Sequence, residues 1–192
     1  LEEVEKCKIA LSRLVRELAQ GDSEKRGAFW TMPQRGAQGQ SGKVFGVQFE
    51  HGYVPDGNDP DLELKVRKLM WYARQDKTLE YVAFEHPGIQ RVLESLLGAG
   101  PIMFQDMALV KPPFIGSEKP WHQDNAYFSV TPLDAIVGVW IALDEATPEN
   151  GCMHVQPGGH RRGALQHHHD RDCEIVPGRL ENIEAVPVPL QP

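Results

Sequence analysis

A histidine and an aspartate stand two residues apart in the stretch 119–127, at His122 and Asp124. The stretch is predicted to be extended, and side chains two apart on an extended chain point the same way. An imidazole and a carboxylate on one face supply two of the three ligands of a 2-His-1-carboxylate site, which leaves open positions on iron(II). The pair alone is weak support for a metal site, because such pairs also arise by chance.

The segments that follow the pair give it a context. Residues 133–143 form a nearly unbroken apolar run that is rich in β-branched side chains, which predicts a strand covered on both faces. A polar turn at 144–151 comes next, followed by residues 152–156 and the loop Pro157-Gly-Gly-His160.

The order of these pieces resembles that of the phytanoyl-CoA dioxygenase family of iron(II) and 2-oxoglutarate-dependent oxygenases. The likeness is close from about residue 104 to 160 and traceable back to about 47. The family motifs His-Gln-Asp, Trp-Ile-Ala-Leu-Asp, Asn-Gly-Cys and Pro-Gly-(Ser/Thr)-His match, in order and at similar spacing, residues 122–124, 140–144, 150–152 and 157–160.

The resemblance implies an α+β fold class, with N-terminal helices packed on one sheet of a double-stranded β-helix, also called a jelly roll. It implies a dioxygenase that hydroxylates a small organic substrate with Fe(II), O2 and 2-oxoglutarate, and that releases succinate from the ketoacid. His122 and Asp124 would then be the metal ligands.

The resemblance also assigns four residues to the 2-oxoglutarate pocket: Lys68, Met107, Gln123 and Trp140. Lys65 is a nearby competitor for the position of Lys68. Met107 and Trp140 lie on apolar segments, where a core side chain is the ordinary interpretation. On an ideal strand Gln123 points away from the metal pair.

The other histidines are interpreted as structural. His160 occupies a family position that is better explained by fixing a loop than by binding iron, and His154 fits a satisfied core imidazole. Residues 167–169 are three consecutive histidines, a composition that can bind metal. They are predicted to form a polar loop, because three adjacent side chains of an extended chain cannot all face one ion.

In the family, a second metal-binding His follows these motifs, and an Arg about ten residues later holds 2-oxoglutarate. This chain ends at Pro192, where we expect the Gly-Asp turn before that His to begin, so the third ligand is expected after Pro192. The first residue, Leu1, is not Met, and truncation at both ends is expected. Residues 1–192 are predicted to be a single oxygenase domain, with a mainly helical part over 1–100 and the first part of the jelly-roll core over 101–192.

Local patterns predict the elements that would carry these residues. Apolar spacings of three and four predict helices over 1–20, 62–73, 79–84 and 88–97. Alternation predicts strands over 43–50 and 102–110, and a Gly- and Gln-rich stretch predicts a loop over 21–42.

Composition limits the classes of partner. A chain of 192 residues with 41% hydrophobic content suits one globular domain with a real core. The formal charge of −7 and the absence of a basic block argue against nucleic-acid and membrane partners, which leaves a small-molecule substrate. Cys7, Cys152 and Cys173 are widely spaced, so no disulfide framework is indicated and a reducing cytoplasm is expected.

Two other classes of protein remain open. One is a metal-binding jelly-roll protein of cupin type, which would have more His ligands and no 2-oxoglutarate pocket. The other is a non-catalytic relative that binds a small molecule.

The substrate itself lies beyond the sequence. Tyr127 and Phe128 are candidates for lining its pocket. Four cationic side chains either favour an anionic substrate or form a solvated rim. They are Lys111, Lys119, Arg161 and Arg162.

Overall fold

The computed structural model describes residues 2–20, 46–50, 53, 56, 58–114, 118–170, 172–180 and 184–192. The chain divides into two compact units, one made of Leu1–Arg91 with Gly100–Ser117, the other of Val92–Ala99 with Glu118–Pro192. Helices and small antiparallel sheets occur together, which confirms the α+β prediction at that level. The single-domain interpretation stays a prediction.

The first unit begins with the long helix α1 (Glu2–Gln20), as predicted. Its buried residues recur at spacings of three and four, so that one face of the helix is apolar. These residues are Cys7, Ala10, Leu14 and Val15. Three glutamates lie in the first turn, where their negative charge stabilises the helix by interacting with the positive end of its dipole.

Two shorter helices also follow their predicted limits. In α2 (Lys77–Phe84), the carboxylate of Asp76 accepts hydrogen bonds from the backbone N–H groups of Thr78 and Leu79, which caps the helix start. Helix α3 (Pro87–Leu97) begins at a proline, whose missing N–H costs nothing in a first turn. It ends before Gly98, whose φ of 85° is readily accessible only to glycine.

An antiparallel sheet of three strands lies in this unit, in the order β1 (Gly46–Phe49), β2 (Val66–Met70), β3 (Met107–Leu109). Val47 pairs with Leu69, and both are almost fully buried. Helix α1 packs against β1 and α2. The core of the unit therefore lies between α1 and the sheet face that carries Val47.

The predicted helix over 62–73 is wrong. Residues Leu62–Lys65 form one 3-10 turn, and the chain then continues as β2, the central strand of the sheet. The buried residues Leu62, Val66 and Leu69 have helical spacing. A short apolar run that is buried on both faces shows the same pattern in a central strand, so periodicity could not separate the two.

Among its described residues, the second unit contains the one-turn helix α4 (Asn125–Phe128) and four two-residue strands. Strand β4 (His154–Val155) pairs with β7 (Val186–Pro187), and β5 (His167–His168) pairs with β6 (Glu174–Ile175). Within the described ranges these sheets do not close into a jelly roll, so that part of the fold prediction is not shown.

Two predicted strands differ from the structure. Residues 133–143 form no ladder with any described segment, and Val139, Trp140 and Ile141 are 38–51% exposed. A strand requires a partner, which an apolar run does not supply by itself. The predicted strand over 102–110 is shortened to β3, and Ile102 before it is 90% exposed.

The predicted loop over 21–42 and the first three residues of the predicted strand over 43–50 lie outside the described residues. The rest of that strand is confirmed as β1. None of the helices in the described ranges has the length and apolar content that crossing a membrane requires.

Candidate metal centre

His122 and Asp124 are brought together by a turn. Asp124 has helical dihedral angles, φ −54° and ψ −37°, and precedes α4, so the prediction of extended chain is wrong at this residue. The Asp124 carboxylate does not cap the helix. It faces the imidazole instead, with His122 Nε2 3.2 Å from Asp124 Oδ1.

The hydrogen bond of His122 Nδ1 determines whether Nε2 is free to bind a cation. His122 Nδ1 lies 2.8 Å from the carbonyl oxygen of Pro120, which can only accept a hydrogen bond. Nδ1 therefore carries a hydrogen, and in the neutral ring the lone pair of Nε2 points at the carboxylate. Two electron-rich atoms facing each other need a cation between them, which is either a proton on Nε2 or a metal ion. This donor set fits a metal ion.

The environment of Asp124 favours its ionised form. Its pKa lies below the usual 3.8, first because of the hydrogen bond with His122 and then because the charges of His122 and Lys119 are near, while burial opposes the shift. The side chain is 71% exposed and remains open to solvent. A Cβ placed on Gly138 would lie 3.7 Å from Asp124 Oδ2, so the segment 133–143 passes beside the carboxylate.

Gln123, between the two candidate ligands, is fixed by backbone contacts. Its amide Nε2 donates to the carbonyl of Gly163 at 2.8 Å, and its Oε1 accepts from Leu165 N at 2.7 Å. Its backbone N–H donates to His167 Nε2 at 2.9 Å, while His167 Nδ1 lies 2.8 Å from the Leu165 carbonyl. The side chain therefore anchors the turn that carries His122 and Asp124, and its assignment to 2-oxoglutarate stays a prediction.

A second polar cluster holds the two ends of the same stretch. The buried carboxylate of Asp172 accepts hydrogen bonds at Oδ1 from Lys119 Nζ at 2.5 Å, Tyr127 Oη at 2.7 Å and Cys173 N at 2.9 Å. Lys119 Nζ also donates to Tyr127 Oη at 2.6 Å. The hydroxyl of Tyr127, a predicted substrate contact, is thus used within the protein.

The pKa values of this cluster follow from its contacts. Burial pushes the pKa of Asp172 upward, but hydrogen bonds from Lys119, Tyr127 and Cys173 outweigh it and lower the pKa to about 2. The pKa of Tyr127 is raised, first by burial and then by its hydrogen bond to Asp172. Asp172 is therefore an anion and Tyr127 a neutral donor at ordinary pH.

The remaining imidazoles have separate surroundings. Two of the three consecutive histidines form β5, so the predicted loop is wrong there. His168 lies 3.1 Å from Asp170, and His169 Nε2 lies 3.9 Å from Cys173 Sγ. His160 is exposed on the 3-10 turn Gly159–Arg162, and His154 is exposed on β4 rather than buried in the core.

Lys68 and Met107 lie on neighbouring strands and on one face of the three-stranded sheet. Lys68 pairs with Leu109, and Met70 pairs with Met107, so the side chains of all four share a face. Gln48 lies directly opposite Lys68 on β1. Its buried Oε1 has no hydrogen-bond partner among the described residues, which marks a polar position that a ligand could satisfy.

The other predicted residues are placed but not brought into a defined pocket. Trp140, 38% exposed, stands two residues after Gly138 on the segment beside Asp124. The ring of Phe128, at the end of α4, lies 6.2 Å from the ring of Tyr127. Over the described ranges no group of three His, Cys, Asp or Glu side chains could hold a metal ion.

Sequence reasoning missed Asp172, His167 and Gln48 as neighbours of the predicted site. Asp172 and His167 contact the stretch 119–127 from more than forty residues away, and no local motif signals such contacts. For Gln48, the alternation of β1 was a usable signal, but its partner strand was predicted as a helix.

Comparisons with known proteins bear on this site. The model of the family described as Phytanoyl-CoA dioxygenase (PhyH) matches residues 51–192. The "Phytanoyl-CoA dioxygenase domain-containing protein 1" of Danio rerio is 39% identical over 77 residues, which is 40% of this chain and 26% of that protein. A "Probable phytanoyl-CoA dioxygenase" of Caenorhabditis elegans is 32% identical over 117 residues, covering 58% of this chain and 37% of that protein.

A plant protein, "Phytanoyl-CoA dioxygenase 1" of Oryza sativa subsp. japonica, is 37% identical over 75 residues, 39% of this chain and 26% of the relative. The chain thus spans about a quarter to two fifths of the length of these curated relatives. No solved structure matches it.

Proposed function

The chain belongs to the phytanoyl-CoA dioxygenase family, and on that premise we propose that the protein is an iron(II) and 2-oxoglutarate-dependent dioxygenase. His122 and Asp124 hold the iron. The reaction is hydroxylation of a small organic substrate, in which 2-oxoglutarate and O2 are converted to succinate and CO2 and one oxygen atom enters a C–H bond of the substrate.

The observation that carries this proposal is the contact between the two candidate ligands. His122 Nε2 and Asp124 Oδ1 are 3.2 Å apart, and the Pro120 carbonyl holds the hydrogen of the imidazole on Nδ1. Fixing the tautomer through the second nitrogen is the usual arrangement of a metal-binding histidine. The exposed side chain of Asp124 leaves the pair open to ligands from solvent.

The protein positions these ligands before any ion binds. Gln123 fastens the turn to the backbone at Gly163 and Leu165, so the residues on either side of it have little freedom to separate. The family pattern implies a third ligand, a histidine, which is assigned to none of the described residues. The bound iron supplies the oxidising chemistry, and the protein's own contribution is to hold two donor atoms toward one point.

The residues proposed to bind 2-oxoglutarate are those that the family resemblance implies: Lys68, Met107, Gln123 and Trp140. The ammonium group of Lys68 is the cation that pairs with a carboxylate of the ketoacid. Support comes from the register, which puts Lys68 and Met107 on one face. Lys65, the competing residue, ends the 3-10 turn before β2.

The fold proposed for the whole protein is a single domain with a double-stranded β-helix core. Its partner is a small-molecule substrate, neither nucleic acid nor membrane, and Phe128 contributes to the substrate pocket. Tyr127 supports that pocket through its ring, because its hydroxyl is bonded to Lys119 and Asp172.

The test is to replace His122 or Asp124 with Ala in the full-length protein. Iron(II) affinity and succinate formation should both fall by at least about 100-fold, since even outer residues of a metal site change affinity by about 10–100-fold. Calorimetric titration without oxygen measures the first, and succinate release measures the second.

The matched control is His154→Ala, which removes an exposed imidazole from β4 and should leave both quantities unchanged. Circular dichroism should show the same fold in all variants. Wild-type succinate formation by either ligand variant would overturn the proposal in favour of a binding protein of another class.

A further inference from the structure

Asp172 joins the two ends of the stretch that carries both candidate ligands. Lys119 stands three residues before His122, and Tyr127 stands three residues after Asp124. Both donate to the same oxygen, Asp172 Oδ1, and to this oxygen the Cys173 N–H also donates. One carboxylate therefore closes the stretch 119–127 into a loop whose ends are fixed.

The cluster of Lys119, Tyr127 and Asp172 is largely shielded from solvent. The side chain of Asp172 is 9% exposed and that of Lys119 is 33% exposed. Lys119 Nζ also lies 5.1 Å from the centre of the Tyr127 ring, so its charge meets both the carboxylate and the ring. A shared, largely buried oxygen with charged and neutral donors is worth more than an exposed ion pair.

The cluster reaches the metal ligand through an aromatic ring. The ring of Tyr127 meets the His122 imidazole edge to face, with centroids 5.8 Å apart and planes at 85°. In strand β6, the backbone N–H of Ile175 donates to the carbonyl of Trp121 at 2.9 Å, and Trp121 directly precedes His122 in sequence. The imidazole is thus held by the Pro120 carbonyl at one nitrogen and by the Tyr127 ring at its face or edge.

We propose that Asp172 is a positioning residue for the metal centre, which acts through Lys119 and Tyr127 to hold His122 and Asp124 in their ligand geometry. This inference rests on the proposed function. In this role Asp172 is not itself a ligand; it fixes the tyrosine ring against the imidazole and fixes the two ends of the turn that carries the candidate ligands.

A purely structural Asp172 and a positioning Asp172 predict different results. If the carboxylate only stabilises the fold, its loss lowers the unfolding temperature and leaves metal affinity unchanged in the folded protein. If it positions the ligands, metal affinity falls in protein that is still folded, because the donor atoms must be brought together when the ion binds.

The experiment is a titration of full-length Asp172→Ala with cobalt(II), whose visible spectrum reports ligand geometry and which stands in for iron(II). We expect cobalt(II) affinity to fall by about 10–100-fold and the cobalt spectrum to change. Asp172→Asn keeps one acceptor oxygen, so its cobalt(II) affinity should lie between that of Asp172→Ala and that of the wild type. The matched control is Asp170→Ala, two residues away, whose side chain is 89% exposed; it should bind cobalt(II) like the wild type.

Tyr127→Phe provides a second, milder variant, because it removes only the hydroxyl and keeps the ring. It should weaken cobalt(II) binding by about tenfold, and it decides the matter if Asp172→Ala does not fold. If folded Asp172→Ala, or Tyr127→Phe in its place, binds cobalt(II) with the affinity of the wild type, the inference about Asp172 is overturned and the proposed function is not. Failure of the wild-type protein itself to bind cobalt(II) would instead overturn the proposed function.

Discussion

At the scale of single residues, Asp172 is the most strongly perturbed carboxyl group near the candidate centre. Burial alone would raise its pKa, but the hydrogen bonds from Lys119 and Tyr127 bring it to about 2, below its ordinary 3.8. A folded-state pKa below the unfolded value means that ionised Asp172 stabilises the fold. The stabilisation is complete above the unfolded pKa and is lost as pH falls toward the folded pKa.

Asp172→Asn should therefore change the pH dependence of stability. The free energy of unfolding should be lower in the variant, and the part due to ionisation, about 2 kcal/mol, should be constant above about pH 4 and shrink between about pH 4 and 2. Urea unfolding at a series of pH values measures the difference. Asp170→Asn, with its exposed side chain, should give a small difference throughout. A wild-type advantage that persisted undiminished at pH 2 would contradict this account.

At the scale of elements, strand β2 decides which of the two candidate lysines lies in the sheet. The sequence offered Lys65 and Lys68, and a helix over this region would have put them on one side, three residues apart. The structure instead ends a 3-10 turn at Lys65 and carries Lys68 within a central strand, on the sheet face of Met107. Only one of the two lysines therefore has a defined place in the sheet.

We expect Lys68→Met to raise the KM for 2-oxoglutarate by about tenfold or more, because a charge-assisted hydrogen bond to a carboxylate is worth about 1.5–3 kcal/mol. The value of kcat should change less. Lys65→Met is the matched control, since it removes the same charge from the turn before the strand and should leave the KM unchanged. Steady-state succinate formation at varied 2-oxoglutarate distinguishes the two. If both substitutions raised the KM for 2-oxoglutarate equally, the KM would depend on the overall charge of the protein and not on the position of Lys68 in the strand.

At the scale of the whole molecule, the proposed reaction depends on which groups occupy the positions around the iron. The formal charge of −7 gives no reason to expect a nucleic-acid surface, and the exposed Asp124 side chain leaves the candidate centre open to a small molecule. If Asp124 binds the iron as proposed, its carboxylate takes the position that a halide ion would need on the same iron. The proposed ligand set therefore predicts oxygen transfer rather than halogenation.

Incubation of the full-length protein with iron(II), 2-oxoglutarate, chloride and a substrate identified by succinate release should give a product heavier by one oxygen atom. Mass spectrometry with labelled O2 should show that the atom comes from O2, and labelled water should leave the product mass unchanged. Chlorinated product from the protein that retains Asp124 would contradict the ligand assignment.

The sequence by itself determined the three longer helices and the order of the motifs. Helices α1, α2 and α3 were predicted close to their observed limits, because helical hydrogen bonds join residues four apart and the end signals, such as Pro87 and Gly98, are local. The resemblance that rests on residues 122–124 and 157–160 was found from sequence for the same reason: short motifs keep their spacing.

Only the tertiary structure decided what depends on distant partners. A strand exists when another segment pairs with it, so β2 was formed where a helix was predicted, and residues 133–143 form no ladder with the described segments. No signal in the sequence indicated the partners of the stretch 119–127 either, since Lys119 and Asp172 are 53 residues apart and Gln123 and Leu165 are 42 apart. Periodicity is a property of neighbours along the chain, whereas buried polar contacts depend on which distant side chains packing brings together.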